Sequence, residues 1–193
     1  MLRSEIMSAI PTLTTERLIL RPFAPGDADR VTELLQRPEI AATTLNIEYP
    51  YPEGAAASWI ASHREAAASG EALTWAICRR DDGVLMGAIG LGIDRRHLRG
   101  TLGYWLGVPY WNQGFTTEAV RAVIDHGFSA LDLYRIEATY LPDNVASGRV
   151  MEKAGMAYEG TLRGYFRKGD GFRDAAMRAV LREEWRAQLR SSV

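Results

Sequence analysis

Apolar and polar positions alternate over Glu16-Arg-Leu-Ile-Leu-Arg-Pro-Phe23, the pattern of a first strand. Ala24-Pro-Gly-Asp-Ala-Asp29 then reads as a turn into a helix, with Val31, Leu34 and Leu35 recurring at helical spacing behind it. Glu39 to Pro52 carries no period and reads as irregular, with Pro50 and Pro52 bracketing Tyr51. An alanine-rich helix is expected from Glu53 to Ser69, with Trp59 and Ile60 on its apolar stripe. The runs Leu73–Cys78 and Val84–Ile93 flank Arg80-Asp-Asp-Gly83, the signal of a hairpin.

Farther along, a charged loop, Asp94 to Arg99, leads into a strand ending at Leu106, and a helix is expected to open at Gly114. A strand over Tyr134–Leu141 and a helix over Val145–Lys153 follow, with Gly155 as the helix cap. Two closing strands, near Met156–Arg167 and Phe172–Arg182, are joined by Lys168-Gly-Asp-Gly171. Hairpins mixed with strand-helix units predict an α+β class: a mixed, largely antiparallel sheet of about seven strands flanked by about four helices.

The chain has 193 residues, 47% of them hydrophobic and 24% charged, which fits one ordinary globular domain. A flexible extension is expected over residues 1–12, the domain over 13–188 and a tail over 189–193. The formal net charge of −1 argues against a general nucleic-acid binder, which needs a basic face. No apolar run approaches the roughly 18 residues that span a bilayer, and Met1–Ser8 lacks an apolar signal core. The single cysteine, Cys78, allows no intrachain disulfide, so a reducing, cytoplasmic setting is expected and the thiol reads as core. His63, His97 and His126 are dispersed, without metal-ligand spacing, so no metal is expected.

The most informative stretch is Val108-Pro-Tyr-Trp-Asn-Gln-Gly-Phe-Thr-Thr-Glu-Ala-Val120. It follows the strand-like Gly103-Tyr-Trp-Leu106 and opens an amphipathic helix. Gly114 sits where the chain must turn sharply, which leaves free N–H groups at a helix N-terminus. That is an anion site suited to phosphate, held by backbone because the turn is nearly free of charged side chains. A second constellation runs from Arg135 to Met156. Its strand ends at Pro142, Asn144 is placed to cap the next helix, and Ser147 lies in that helix's first turn.

Together these segments resemble the GNAT acyltransferases, and within them the Rim-type ribosomal-protein N-terminal acetyltransferases. The likeness runs from Thr14-Thr-Glu-Arg-Leu-Ile-Leu-Arg21 to Trp185. It is carried, in order, by Gly103-Tyr-Trp-Leu, Tyr110-Trp-Asn-Gln-Gly-Phe-Thr-Thr-Glu-Ala, Asn144-Val-Ala-Ser, Glu152-Lys-Ala-Gly-Met, Glu159-Gly-Thr-Leu-Arg163 and Asp170-Gly-Phe-Arg-Asp174. The resemblance implies a GNAT fold and acetyl-CoA as donor, with direct attack by an amine on the thioester in a ternary complex. It also implies that the strands ending near Leu106 and Leu141 splay to hold the pantetheine arm. Backbone at Leu106, Gly107 and Val108 would bond that arm, and the N–H groups of Asn112, Gln113, Gly114, Phe115, Thr116 and Thr117 would hold the pyrophosphate. Leu106 N–H would face the developing oxyanion, Asn144 would bond the pantetheine, and Ser147 would protonate the departing thiolate. Many relatives use a tyrosine farther along that helix, where Met151 and Glu152 stand here.

Departures from the family pattern are informative. Trp111 replaces the Gln or Arg that opens the family loop, and Thr116 replaces a small residue. A glutamate common two residues before the Gly-Tyr-Trp-Leu block is Thr101 here, so no general base is named. Asp94, His97 and Glu137 are candidates, but each reads more readily as a solvated loop residue or a structural strand carboxylate. At pH 7 an α-amine needs only about 1 kcal/mol to lose its proton and lysine about 4.6 kcal/mol, so a missing base either favours an α-amine or another amine of low pKa, or means that a carboxylate elsewhere does the work. With the resemblance to the Rim-type branch, a protein N-terminal amine is the leading acceptor. Small amines such as polyamines, aminoglycosides or amino acid derivatives are the alternative, and a non-catalytic CoA-binding sensor the second. Tyr49 and Tyr51 are candidates to line the acceptor pocket or simply to pack a loop. Neither nucleic acid nor membrane is an expected partner, and monomer and homodimer both stay open.

Overall fold

A computed structural model describes residues 10–191. Its centre is one sheet of eight strands in the order β1-β2-β3-β4-β5-β6-β8-β7. The strands are β1 (Leu13–Thr14), β2 (Leu18–Pro22), β3 (Ala72–Arg79), β4 (Leu85–Asp94), β5 (Arg99–Leu106), β6 (Arg135–Tyr140), β7 (Ala157–Lys168) and β8 (Gly171–Leu181). Neighbours are antiparallel except β5 and β6, which run parallel. Among the described residues the helices are α1 (Ala28–Leu35), α2 (Pro38–Thr43), α3 (Ala55–Ser69), α4 (Phe115–Ser129), α5 (Val145–Lys153) and α6 (Arg182–Ser191).

Helices cover both faces of the sheet, and each face has its own core. On one, Leu18, Leu20, Ile77, Met86, Ile89, Leu102 and Leu106 pack under Phe115, Val120, Val123 and Ile124 of α4 and Met151 of α5. On the other, Ala76, Cys78, Ala88 and Trp105 pack against Val31, Leu34 and Leu35 of α1, Ile40 of α2 and Ile60 of α3. A strand covered on both faces buries both sets of its side chains, which is why β4 reads as a nearly unbroken apolar run instead of an alternating one.

The α+β class and mixed, largely antiparallel sheet are as the sequence predicts, with local differences. The stretch from Glu39 to Pro52 is not wholly irregular. Pro38 pre-sets the backbone for the first turn of the short helix α2, which begins there. The final strand stops at Leu181 and gives way to α6, so the expected tail over 189–193 is helical through residue 191. Residues 1–9 of the expected flexible extension, and 192–193 of the tail, lie outside the described residues. The rest of that extension is fixed: Ile10 packs on the core, and the Pro11 carbonyl accepts a 2.7 Å hydrogen bond from the buried Trp75 indole. No helix among the described residues is long and apolar enough to cross a membrane.

Candidate active site

The site begins where β5 and β6 part. Their parallel ladder pairs only Arg99 with Arg135, Gly100 with Ile136 and Thr101 with Glu137. β5 continues along β4 to Leu106, while β6 continues along β8 to Tyr140. Beyond Thr101 the two strands therefore diverge, and the edge of β5 facing β6 is unpaired. This is the divergence that the family resemblance implies.

At the top of the gap the chain turns into α4. Gly114 caps the helix with φ +81°, a conformation that a side chain at this position would strain. The first intrahelical bond runs from Glu118 N–H to Gly114 C=O, so the N–H groups of Phe115, Thr116 and Thr117 open the helix without a side-chain cap. Asn112 also has positive φ, +60°, and both it and Gln113 are exposed. The Trp111 side chain shapes the loop locally, because its indole N–H donates to the Leu106 carbonyl at 2.6 Å and folds the loop back onto β5. Gly107 is engaged inside the protein, its N–H donating to Met86 C=O at 2.8 Å and its carbonyl accepting from Tyr110 N–H.

One charged group at this turn comes from far away in sequence. Arg17 Nη1 donates to the Gln113 carbonyl at 3.0 Å, and its guanidinium lies over the Phe115 ring, 4.7 Å from the centroid. Arg17 is fixed by Glu118, which accepts from Arg17 Nε at 2.7 Å, Arg17 N–H at 2.8 Å and Thr15 Oγ1 at 2.6 Å. Burial would raise the Glu118 pKa, but these donors outweigh it and hold the carboxyl below its ordinary range. The signal for Arg17 was the Thr-Glu-Arg-Leu block, whose partner on α4 no local pattern announces.

Across the gap stands the N-terminus of α5. Asn144 Oδ1 accepts from Ser147 N–H at 3.1 Å, so the capping role is real. Asn144 Nδ2 donates to the Thr43 carbonyl at 3.1 Å, reaching the opposite helical layer. Gly148 permits α5 to lie close to β6, since a Cβ there would come within 2.9 Å of the Tyr140 ring. Ser147 is half-buried, and its Oγ is 2.9 Å from the hydroxyl of Tyr104 on β5. Burial pushes the Tyr104 pKa up to about 12, partly offset by the bond to Ser147, so the phenol stays protonated at neutral pH. Tyr104 belongs to the Gly103-Tyr-Trp-Leu106 block, and its contact with Ser147 is one that no local sequence pattern announces.

The candidate bases are placed as follows. His97 Nδ1 and Asp94 Oδ2 lie 2.9 Å apart in the β4–β5 turn. They sit at the far end of β5 from Leu106, about 24 Å away at the rise of a strand. Glu137 is the register partner of Thr101, but Arg135 Nε binds it at 2.7 Å and Arg99 lies 3.7 Å from it. Arg135 in turn pairs with Glu159. Tyr51 packs against the second core and exchanges backbone bonds with the Gln36 amide, whereas Tyr49 is exposed.

This arrangement has known counterparts. The family model for the acetyltransferase (GNAT) domain matches residues 17–157. An uncharacterized N-acetyltransferase of Bacillus subtilis, YoaA, is 35% identical over 156 residues, which is 80% of this chain and 88% of that protein. The structure of Mycobacterium smegmatis RimJ in complex with CoA-disulfide superposes with a TM-score of 0.81 at 25% identity, covering 91% of this chain and 89% of that one. The ribosomal protein uS5-alanine N-acetyltransferase of Escherichia coli is 30% identical over 84 residues, 44% of this chain and 43% of that protein. The chain belongs to the GNAT family and is an N-acetyltransferase.

Proposed function

We propose that this enzyme transfers acetyl from acetyl-CoA to the α-amine at a protein N-terminus, by direct attack in a ternary complex. The donor supplies a thioester-activated acetyl group whose carbonyl the amine attacks and whose thiolate departs. The gap between β5 and β6 takes the pantetheine arm, with backbone at Leu106 and Val108 along it. The open N–H groups from Asn112 to Thr117 take the pyrophosphate, aided by the helix dipole and by Arg17 beside them. Leu106 N–H stabilises negative charge on the carbonyl oxygen.

Ser147 delivers a proton to the leaving sulfur. Tyr104 supports this role: its hydroxyl stands 2.9 Å from Ser147 Oγ and 3.3 Å from the Ser147 carbonyl, and whenever the phenol is the donor to Oγ the serine proton is free to point into the gap. The second donor N–H of Asn144 remains for the pantetheine arm.

The acceptor assignment rests on one observation. Where relatives carry glutamate this chain has Thr101, and the carboxylate beside it, Glu137, is already bound by Arg135. A site without a free carboxylate at this position suits an amine of low pKa. The motif blocks shared with the Rim-type branch support the same acceptor. The lone buried thiol of Cys78 is in keeping with a cytoplasmic home.

The test is thiol release from acetyl-CoA with two acceptor panels. One holds peptides with free Ala, Ser, Thr or Met N-termini; the other holds polyamines, aminoglycosides and amino acids. Release with the peptides only, abolished by blocking the α-amine, is expected. Release with small amines only moves the enzyme to metabolite or antibiotic modification. Tight coenzyme A binding with release from neither panel favours a sensor.

A further inference from the structure

At the hairpin between β7 and β8, Lys168 makes a set of contacts that the acetyl-transfer chemistry does not account for. Its Nζ donates to three carbonyls, Ala41 at 2.9 Å, Ala42 at 2.9 Å and Thr44 at 2.8 Å. An ammonium has three protons, and here each has a carbonyl. The carbonyl left between them, Thr43, takes the Asn144 amide. Four consecutive carbonyls at the C-terminal end of α2, where a helix leaves such groups without partners, are thus bonded from outside the helix. Burial, helped by nearby Arg173, draws the Lys168 pKa below its ordinary value, as for an ammonium taken partly out of water. Arg173 Nη2 also reaches Asp143 at 2.6 Å, so one hairpin grips both the end of α2 and the start of α5.

The position matters because of the two-layer fold. α4 and α5 lie on one face of the sheet, while α2 belongs to the opposite layer with α1 and α3. A donor whose phosphates sit at the start of α4 enters the gap from the first face. An amine reaching the same carbonyl from the second face meets residues 41–44. We propose that Lys168 is a positioning residue that locks residues 41–44 as the acceptor-side wall of the gap. This rests on the acetyl-transfer reading above.

The experiment compares wild type with Lys168→Met, which keeps most of the stem, and Lys168→Arg, which keeps the charge and donors. Hydrogen exchange is followed over residues 41–52, with the β3–β4 hairpin as internal control. Coenzyme A affinity is measured by calorimetry, and KM and kcat for an N-terminal alanyl peptide by thiol release. In Lys168→Met, exchange over 41–52 is expected to rise about tenfold, the equivalent of one charge-assisted hydrogen bond. The control hairpin and coenzyme A affinity stay unchanged. Peptide KM is expected to rise about tenfold with little loss of kcat, and Lys168→Arg to restore most of it.

Unchanged exchange, or an unchanged peptide KM, overturns the proposal, as does a loss confined to coenzyme A affinity. A wild-type enzyme that acetylates small amines but no peptide refutes the peptide acceptor alone, and the lock is then judged by KM for that amine. Turnover of no amine overturns the acceptor role of the wall, while the exchange result still decides whether the lock exists.

Discussion

The hydroxyl groups of Tyr104 and Ser147 lie 2.9 Å apart, joining strand β5 to helix α5 across the gap that separates their neighbouring strands. Both residues are half-buried, and the Tyr104 phenol is protonated at neutral pH. If Ser147 protonates the thiolate, Ser147→Ala lowers kcat by about 10²-fold, the lower range for a general acid. Coenzyme A affinity changes little, because the lost group acts on the departing sulfur. Tyr104→Phe, acting through Ser147, costs less, about tenfold in kcat. Steady-state thiol release with calorimetry on the same variants checks both; a Ser147→Ala enzyme that keeps its kcat but loses donor binding contradicts the assignment.

Gly114→Ala places a side chain at φ +81° beside the Arg17 guanidinium. The strain is about 1 kcal/mol, and relieving it rotates the N–H groups that open α4. Weaker coenzyme A binding is expected, with the affinity for the dephospho and pyrophosphate-lacking fragments used to separate the two ends of the donor. Loss of affinity for fragments that contain the pyrophosphate, and no loss for a pantetheine fragment, is the predicted pattern.

Glu118→Ala removes the acceptor for Thr15 Oγ1 and two Arg17 donors. Because Arg17 is exposed and water can replace part of these bonds, the expected loss is about 1 kcal/mol, visible as a fall of a few degrees in Tm. The folded-state pKa of Glu118 is lowered, so its contribution is present above the unfolded value near 4.5 and lost as pH falls through the folded value. A Glu118→Ala variant that melts with the wild type places these bonds among the inert surface pairs.

His63 gives a separate acid sensitivity at higher pH. It is buried at 7% exposure, with neither ring nitrogen hydrogen-bonded, and Trp59 stands edge-on at 4.4 Å. Burial lowers its pKa in the folded state, as it does for His126. The unfolded chain therefore takes up protons near pH 6.5 that the folded chain refuses, and stability falls as pH drops below about 6.5. His63→Leu is expected to flatten this loss between pH 7.5 and 5.5, with the share due to His126 remaining. Melting curves at both pH values decide it, and an equal drop in the variant rules His63 out.

Much of this site was legible in the chain because its parts are local. The turn at Gly114, the cap at Asn144 and the hairpin glycines each obey rules of a few residues. What escaped was contact between distant segments. Arg17 reaches Gln113 and Glu118 across 96 and 101 residues of chain, and Tyr104 meets Ser147 only because two strands diverge. The role of Asp174, a residue quoted in the motifs without a physical role, is of this kind: it accepts the Gly164 N–H at 2.7 Å and holds a bulge in β7. The helices α2 and α6 were missed for a different reason. α2 spans only six residues, too short for a period to show, and α6 follows β8 without a break, so that no turn residue marks its start.

The central claim is that the gap between β5 and β6 holds the donor with its sulfur at Ser147. The most direct measurement is a crystal structure with coenzyme A bound. The account predicts pyrophosphate on the N–H groups at the start of α4, the pantetheine between the two strands, and sulfur within hydrogen-bonding distance of Ser147 Oγ. Coenzyme A lying outside the gap, or its sulfur turned away from Ser147, contradicts it.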